Sequence, residues 1–102
     1  MYIEATVISM SIGSRKTEKR TIKVVEMKLK WHRCIVLAVC KYPLAFRLRS
    51  VDVGDVLALF VTAKTKKYRS ELSGEWEFYT ENYVEEFSII KCDALRGYNM
   101  DV

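Results

Sequence analysis

From Val56 to Tyr68 the chain alternates with a period of two: Leu57, Leu59, Val61 and Ala63 fall on one side of an extended backbone, and Phe60, Thr62, Lys64, Lys66 and Tyr68 on the other. No helix sorts residues this way, so the stretch predicts a long strand with a core face and a basic, aromatic face. The same reading applies elsewhere. Ile3, Ala5 and Val7 alternate with Glu4 and Thr6 out to about Ile12, where Gly13-Ser14 predicts a break. Thr21 to Lys30 opens with β-branched residues and predicts a second strand, with the parity shift at Val24-Val25 predicting a bulge. Arg33 to Cys40 is almost wholly apolar and of strand length, which predicts a third strand covered on both faces. Ser73-Gly74 marks a hairpin into a last strand from Trp76 to Ile90.

One short segment breaks the β pattern. Pro43 suits the start of a helix and Leu44 lies four residues before Leu48, so Tyr42 to Ser50 predicts a short helix or helical turn. Val51 to Asp55 then predicts a turn at Gly54. Three strands, a short helix and two strands is the order of an OB-fold. The expected class is therefore all-β, a five-stranded Greek-key barrel with a short helix between strands three and four.

With 102 residues, four Gly and one Pro, the chain offers one modest core and no linker between domains. The expected division is an OB domain over 1–92 and a loose tail over 93–102. The longest apolar run, Cys34 to Cys40, is too short to cross a bilayer, and Met1-Tyr2-Ile3-Glu4 does not open a secretory signal, so a cytoplasmic protein is expected. Cys34, Cys40 and Cys92 contain no C-x-x-C pair and read as free, buried thiols rather than as a disulfide scaffold or zinc site. His32 is the single histidine, there is no glycine-rich phosphate cradle, and Glu75, Glu77, Glu81, Glu85 and Glu86 cluster on the last strand and read as solvent-facing, or as repelling phosphate and so limiting where a strand can lie. No enzyme, cofactor or metal is expected.

Charge is unevenly placed. Residues 1–70 carry 15 Lys/Arg and 5 Asp/Glu, whereas residues 71–102 carry 2 Lys/Arg and 8 Asp/Glu. The positive residues gather at Arg15, Lys16, Lys19 and Arg20, and again at Lys64, Lys66, Lys67 and Arg69. A single Lys-rich turn is ordinarily a solubilising tip. Here both clusters fall on the loops that clasp oligonucleotides in OB-folds, those joining strands one to two and four to five, which favours ligand-binding charge.

Trp31-His32-Arg33 followed by Cys34-Ile35-Val36-Leu37-Ala38 resembles the bacterial single-stranded DNA-binding protein family, whose third strand opens Trp-His-Arg. The likeness continues through the helical segment, Val53-Gly54-Asp55 and the basic run Lys64-Thr65-Lys66-Lys67 ending in Tyr68, and spans roughly 31–83. The family's long loop between strands two and three is missing, and Gly97 to Val102 lacks its acidic tip for recruiting replication proteins. A shortened, tail-less chain of this kind resembles the primosomal replication protein B branch, or a small phage or mobile-element binding protein.

The resemblance implies binding of single-stranded DNA, with RNA as the alternative strand, without sequence preference, in replication, recombination or repair. Such binding needs a positive groove along the phosphates and aromatic faces for the bases, each stack being worth ~1–3 kcal/mol. Trp31 and Tyr68 are the first stacking candidates, with Phe60, Trp76 and Tyr79 behind them; Phe46 and Phe87 are assigned to the core. Arg15, Lys16, Lys19, Arg20, Lys64, Lys66, Lys67 and Arg69 are assigned to phosphates, with Lys28 and Arg33 on the face between. Proteins of this family self-associate, so a homodimer or homotetramer is expected. The competing expectation is an OB-fold protein-interaction or oligomerisation module, in which Trp31, Tyr68 and Trp76 line a protein interface and the apolar first strand pairs with a second copy.

Overall fold

A computed structural model describes residues 1–92; the tail expected over 93–102 lies outside the described residues. The elements run β1 (Tyr2–Lys16), β2 (Thr21–Trp31), β3 (Cys34–Lys41), a 3₁₀ helix (Leu44–Ser50), β4 (Val56–Arg69) and β5 (Trp76–Lys91). The strands form one sheet that closes in a ring, in the order β1-β2-β3-β5-β4. Every pairing is antiparallel except β3 with β5, which run parallel at Ala38–Asn82 and Val39–Tyr83.

Closure depends on β1 changing partners. Tyr2 to Thr6 pair with β4, whereas Thr6 to Lys16 pair with β2. At the changeover the register slips: Val7 faces Leu29 and Ser9 faces Lys28, leaving Ile8 as one extra residue that bends the strand. The bulge expected at Val24-Val25 thus lies on β1 instead. Both valines are buried because β2 is covered on both faces there, Val25 joining the main core and Val24 a smaller cluster with Val39 and Tyr83. Nor does Gly13-Ser14 break β1, since Gly13 pairs with Val24 and Ser14 with Lys23. Gly13 is needed for a different reason: the Glu26 carboxylate crosses above it, 1.9 Å from where a Cβ would stand.

The turn before β4 seals the ring. Asp55 is fully buried, and its carboxylate accepts the Asp52 amide at 2.9 Å. The Gly54 amide donates to the Val7 carbonyl and the Val7 amide to the Asp55 carbonyl, both at 2.9 Å. Gly54 adopts φ +97°, a conformation glycine reaches without Cβ strain.

Leu29, Leu57 and Leu59 have no exposed surface and form the centre of the core with Met27, Val7 and Phe87. Burial of each such side chain contributes about 1.5–3 kcal/mol. Ala63 is exposed, contrary to its parity, because β4 has by then left the ring and continues with β5 as a projecting hairpin. β3 also departs from expectation: Cys34, Ile35 and Leu37 are exposed and only Ala38, Val39 and Cys40 are buried. β5 reaches β3 only at Ala38 and Val39, so the first half of β3 has an open edge and three of its four side chains are exposed. Cys34 and Cys92 are exposed, which corrects their assignment as buried thiols, and of the three only Cys40 is buried.

The helical segment is a 3₁₀ turn with Pro43 just before it. At three residues per turn, Ala45 and Leu48 eclipse one another and are the buried pair. Phe46 then points away from the core. It is 56% exposed, packed edge-on against Tyr42 and beneath the Arg49 guanidinium, which corrects its assignment to the core. Among the described residues no helix is long and apolar enough to cross a membrane.

Candidate nucleic-acid interface

The two basic clusters grow from hairpin geometry. β1 and β2 are joined by the loop 17–20, in which the Thr17 hydroxyl donates to the Arg20 carbonyl at 2.8 Å and accepts from the Arg20 amide at 3.1 Å. This tight turn leaves Lys16, Lys19 and Arg20 exposed. Arg15 behaves differently. Its Nε donates to Glu81 of β5 at 2.8 Å, and its outer nitrogens donate to Glu26 at 3.2 Å and to the Ser14 carbonyl at 2.8 Å. The hydrogen bond to Glu81 raises the Arg15 pKa most, Glu26 adding to it against the opposing effect of burial. Arg15 is thus a structural tie across the face, and Glu81, half-buried with it, is not the solvent-facing carboxylate expected.

Beside this tie lies a groove of ≈ 400 Å³, lined by Ser9, Ser11, Lys28, Leu37 and Thr80 together with Arg15. Lys28 is exposed on the groove wall. Arg33 is exposed in the two-residue turn between β2 and β3, where His32 takes a left-handed φ of +55°. That turn places Trp31 at the end of β2, so Trp31 does not open β3. It is half-buried against the main core with the His32 ring 5.2 Å away, which leaves it only partly available to a base.

The β4–β5 hairpin carries most of the exposed aromatic surface. Its tip closes with the Ser70 amide donating to the Glu75 carbonyl and with Gly74 at φ +72°. Register sorts the side chains by face. Lys66 faces Tyr79 and Tyr68 faces Glu77, whereas Lys67 faces Phe78 and Arg69 faces Trp76. Tyr68 and Tyr79 meet edge-on with ring centroids 5.6 Å apart. The Tyr68 hydroxyl donates to Glu77, the contact that chiefly raises its pKa. On the other face Lys67 lies over the Trp76 ring at 5.0 Å, and the Arg69 guanidinium donates to the Gly74 carbonyl at 2.9 Å. Phe60 sits apart from both sets, packed edge-on against Tyr2.

Two residues absent from the sequence-based candidates join this surface. Tyr83 is buried on β5, and the ammonium groups of Lys41, Lys64 and Lys66 lie 4.6, 5.2 and 4.8 Å from the centre of its ring. The approach of the Tyr83 hydroxyl holds Lys66 above the ordinary lysine pKa, more than burial lowers it. Lys41 ends the apolar run of β3, and Tyr83 shares parity with Glu81. Neither pattern is informative until β3 and β5 are known to pair. Among the described residues no group of three His, Cys, Asp or Glu side chains could hold a metal ion.

Lys64, Lys66, Tyr68 and Tyr79 are therefore brought together on one face of the hairpin, and Arg15 and Lys28 meet at the groove. Lys67, Arg69 and Trp76 form a second set on the opposite face of the hairpin, and Phe60 joins neither. Comparison with known proteins finds no family model that matches the chain and no matching curated protein.

Proposed function

We propose that the protein is an OB-fold barrel that binds single-stranded DNA without sequence preference, in the cytoplasm, as a homodimer or homotetramer, in replication, recombination or repair. The observation that carries this reading is the β4–β5 hairpin. It holds Tyr68 and Tyr79 exposed beside Lys64 and Lys66 on one face, and Trp76 beside Lys67 on the other. Exposed aromatic rings are costly to keep in water without a partner, and ring faces alternating with cations are what a stacked, charged strand requires. The exposed Lys16, Lys19, Lys28 and Arg20 extend the positive surface toward β1 and β2, past a groove in which Glu26 and Glu81 balance Arg15.

Fluorescence anisotropy of labelled oligo-dT tests the reading, with duplex DNA and single-stranded RNA as competitors at two salt concentrations. Preference for a single strand is expected, with a slope of log affinity against log salt near −4 if about six cations meet phosphates at ~0.7 each. Absence of binding at low salt overturns it.

A second reading, a protein-interaction or oligomerisation module, is favoured by one specific feature, the exposed Ile35 and Leu37 on the open-edged half of β3. Trp31→Ala and Tyr68→Ala separate the two. Loss of oligo-dT binding with the oligomer intact supports the first, and loss of the oligomer supports the second.

A further inference from the structure

Tyr83 lies where three strands converge, paired with Val39 of β3 and Thr62 of β4. Its ring packs on Val24 and Val39 and is only 3% exposed, yet its hydroxyl is buried and the hydroxyl proton meets no acceptor, the Lys66 ammonium that approaches the oxygen being a donor only. A buried hydroxyl left unpaired is uncommon and costly, and in folded proteins it ordinarily marks a water, an ion or a ligand group. Around the same ring stand the ammonium groups of Lys41, Lys64 and Lys66, all three within about 5 Å of its centre. The ring's two faces can attract cations, but three like charges so confined repel one another. None of the three forms an ion pair among the described residues, where Arg15 alone does so. Glu81 faces Lys64 across the ladder and its charge reaches Lys66, but its carboxylate is shared with Arg15 and forms no ion pair with either lysine.

A cavity of ≈ 250 Å³ opens beside the ring, lined by Lys41, Tyr42, Pro43, Lys64, Tyr83 and Glu85. A ligand that relieves both the repulsion and the unpaired hydroxyl must be anionic and must offer several acceptor oxygens. Phosphate meets these demands, one oxygen taking the hydroxyl proton while others take the ammonium groups. Glu85 on the rim opposes any anion and so sets the three ammonium groups, not the cavity as a whole, as the anchor.

We infer that Tyr83, Lys41, Lys64 and Lys66 form a phosphate-binding site at the junction of β3, β4 and β5. The phosphate is either a diester of the bound strand or free inorganic phosphate. Only the first of these sources rests on the proposed function; the site itself stands on the lysines and the unpaired hydroxyl.

The experiment compares the full chain with Tyr83→Phe, which keeps the ring, and with Lys41→Gln and Lys66→Gln. Inorganic phosphate is titrated into each and followed by amide and tyrosine NMR shifts, at ionic strength held constant with chloride. Saturable shifts at Tyr83, Lys41 and Val84 that are lost in the variants support the site. Oligo-dT titrations run in parallel identify the source. If the strand supplies the phosphate, the two lysine substitutions combined lower the salt slope by about 1.4, at ~0.7 per contact. An unchanged slope with intact phosphate shifts assigns the site to free phosphate. Absence of saturable shifts at these residues, together with an unchanged slope, overturns the inference. Failure of the parent chain to bind oligo-dT would overturn the proposed function alone, because the phosphate titration reads the site independently.

Discussion

The Arg15 guanidinium donates to the Glu81 carboxylate at 2.8 Å, joining the end of β1 to the root of the β4–β5 hairpin. Glu81 lies opposite Lys64 in the β4–β5 ladder, so this one contact links the root of the first basic cluster to the root of the second. A carboxylate here occupies a cation that would otherwise be open to phosphate.

Glu81→Gln is therefore expected to raise affinity for oligo-dT and to steepen its salt slope by up to about 0.7, since it releases the Arg15 Nε and removes one repelling charge while Glu26 still holds the other end of the guanidinium. A double-mutant cycle with Arg15→Met is expected to give a coupling of about 1–2 kcal/mol in stability, because the pair is charge-assisted and partly shielded. Urea unfolding of the four proteins measures the second quantity. Additive effects would show that the tie contributes nothing.

Gly13→Ala tests the same tie from the other side. A Cβ at this position meets the Glu26 carboxylate, which must move off and loosen its 3.2 Å contact with Arg15. The Glu26 side chain is flexible, so the loss is expected to be small, about 1 kcal/mol in urea unfolding. In an Arg15→Met background the part of the loss due to the tie should vanish.

Tyr68 and Trp31 should separate binding from folding. Tyr68→Ala and Tyr79→Ala are expected to weaken oligo-dT binding by ~1–3 kcal/mol each with little change in thermal midpoint, because both rings are exposed. Trp31→Ala is expected to lower the thermal midpoint as well, because Trp31 packs against the core. Equal midpoints for all three variants would place Trp31 outside the core's energetics.

These contrasts mark what alternation can and cannot convey. Leu57, Leu59 and Val61 were legible because one strand face is buried and the other is not, and the parity persists wherever a single sheet face meets the core. Val24-Val25 misled because burial on both faces of β2 looks in sequence like a bulge, while the real bulge at Ile8 follows from β1 changing partners, which is a tertiary event. Phe46 misled because a three-residue turn buries Ala45 and Leu48, not the residue between them. The basic clusters could be read directly, but Arg15's carboxylate partners could not. Glu81 lies 66 positions away and reaches Arg15 only after the sheet closes. Tyr83 and Lys41 stayed hidden for the same reason, since their meeting requires the parallel pairing of β3 with β5.

Tyr83→Phe should leave stability unchanged or raise it slightly in phosphate-free buffer. Removing a buried hydroxyl whose proton meets no acceptor relieves its desolvation cost, which offsets the lost approach of its oxygen to Lys66 and leaves a gain of at most about 1 kcal/mol. Thermal unfolding in phosphate-free buffer measures this. A loss of more than 1 kcal/mol would show that the hydroxyl is satisfied within the protein.

Cys40 supplies the pH dependence. Burial pushes its thiol up from 9.0 to about 11, with the nearby Arg47 charge pulling weakly the other way. The folded state therefore holds the proton more tightly than the unfolded chain. The resulting stabilisation is complete below pH 9 and is lost as pH rises from about 9 to about 11, amounting to roughly 3 kcal/mol at most. Lys66 and Tyr68 are also shifted upward from their ordinary values, so the comparison that isolates the thiol is with Cys40→Ala. Urea midpoints between pH 8 and 11 are expected to fall more steeply for the parent chain than for that variant. Thiol labelling at pH 8 gives an independent check: Cys34 and Cys92 should react at once and Cys40 only on unfolding. Parallel pH profiles, or a third thiol that reacts in the native state, would mean that the Cys40 site opens to water.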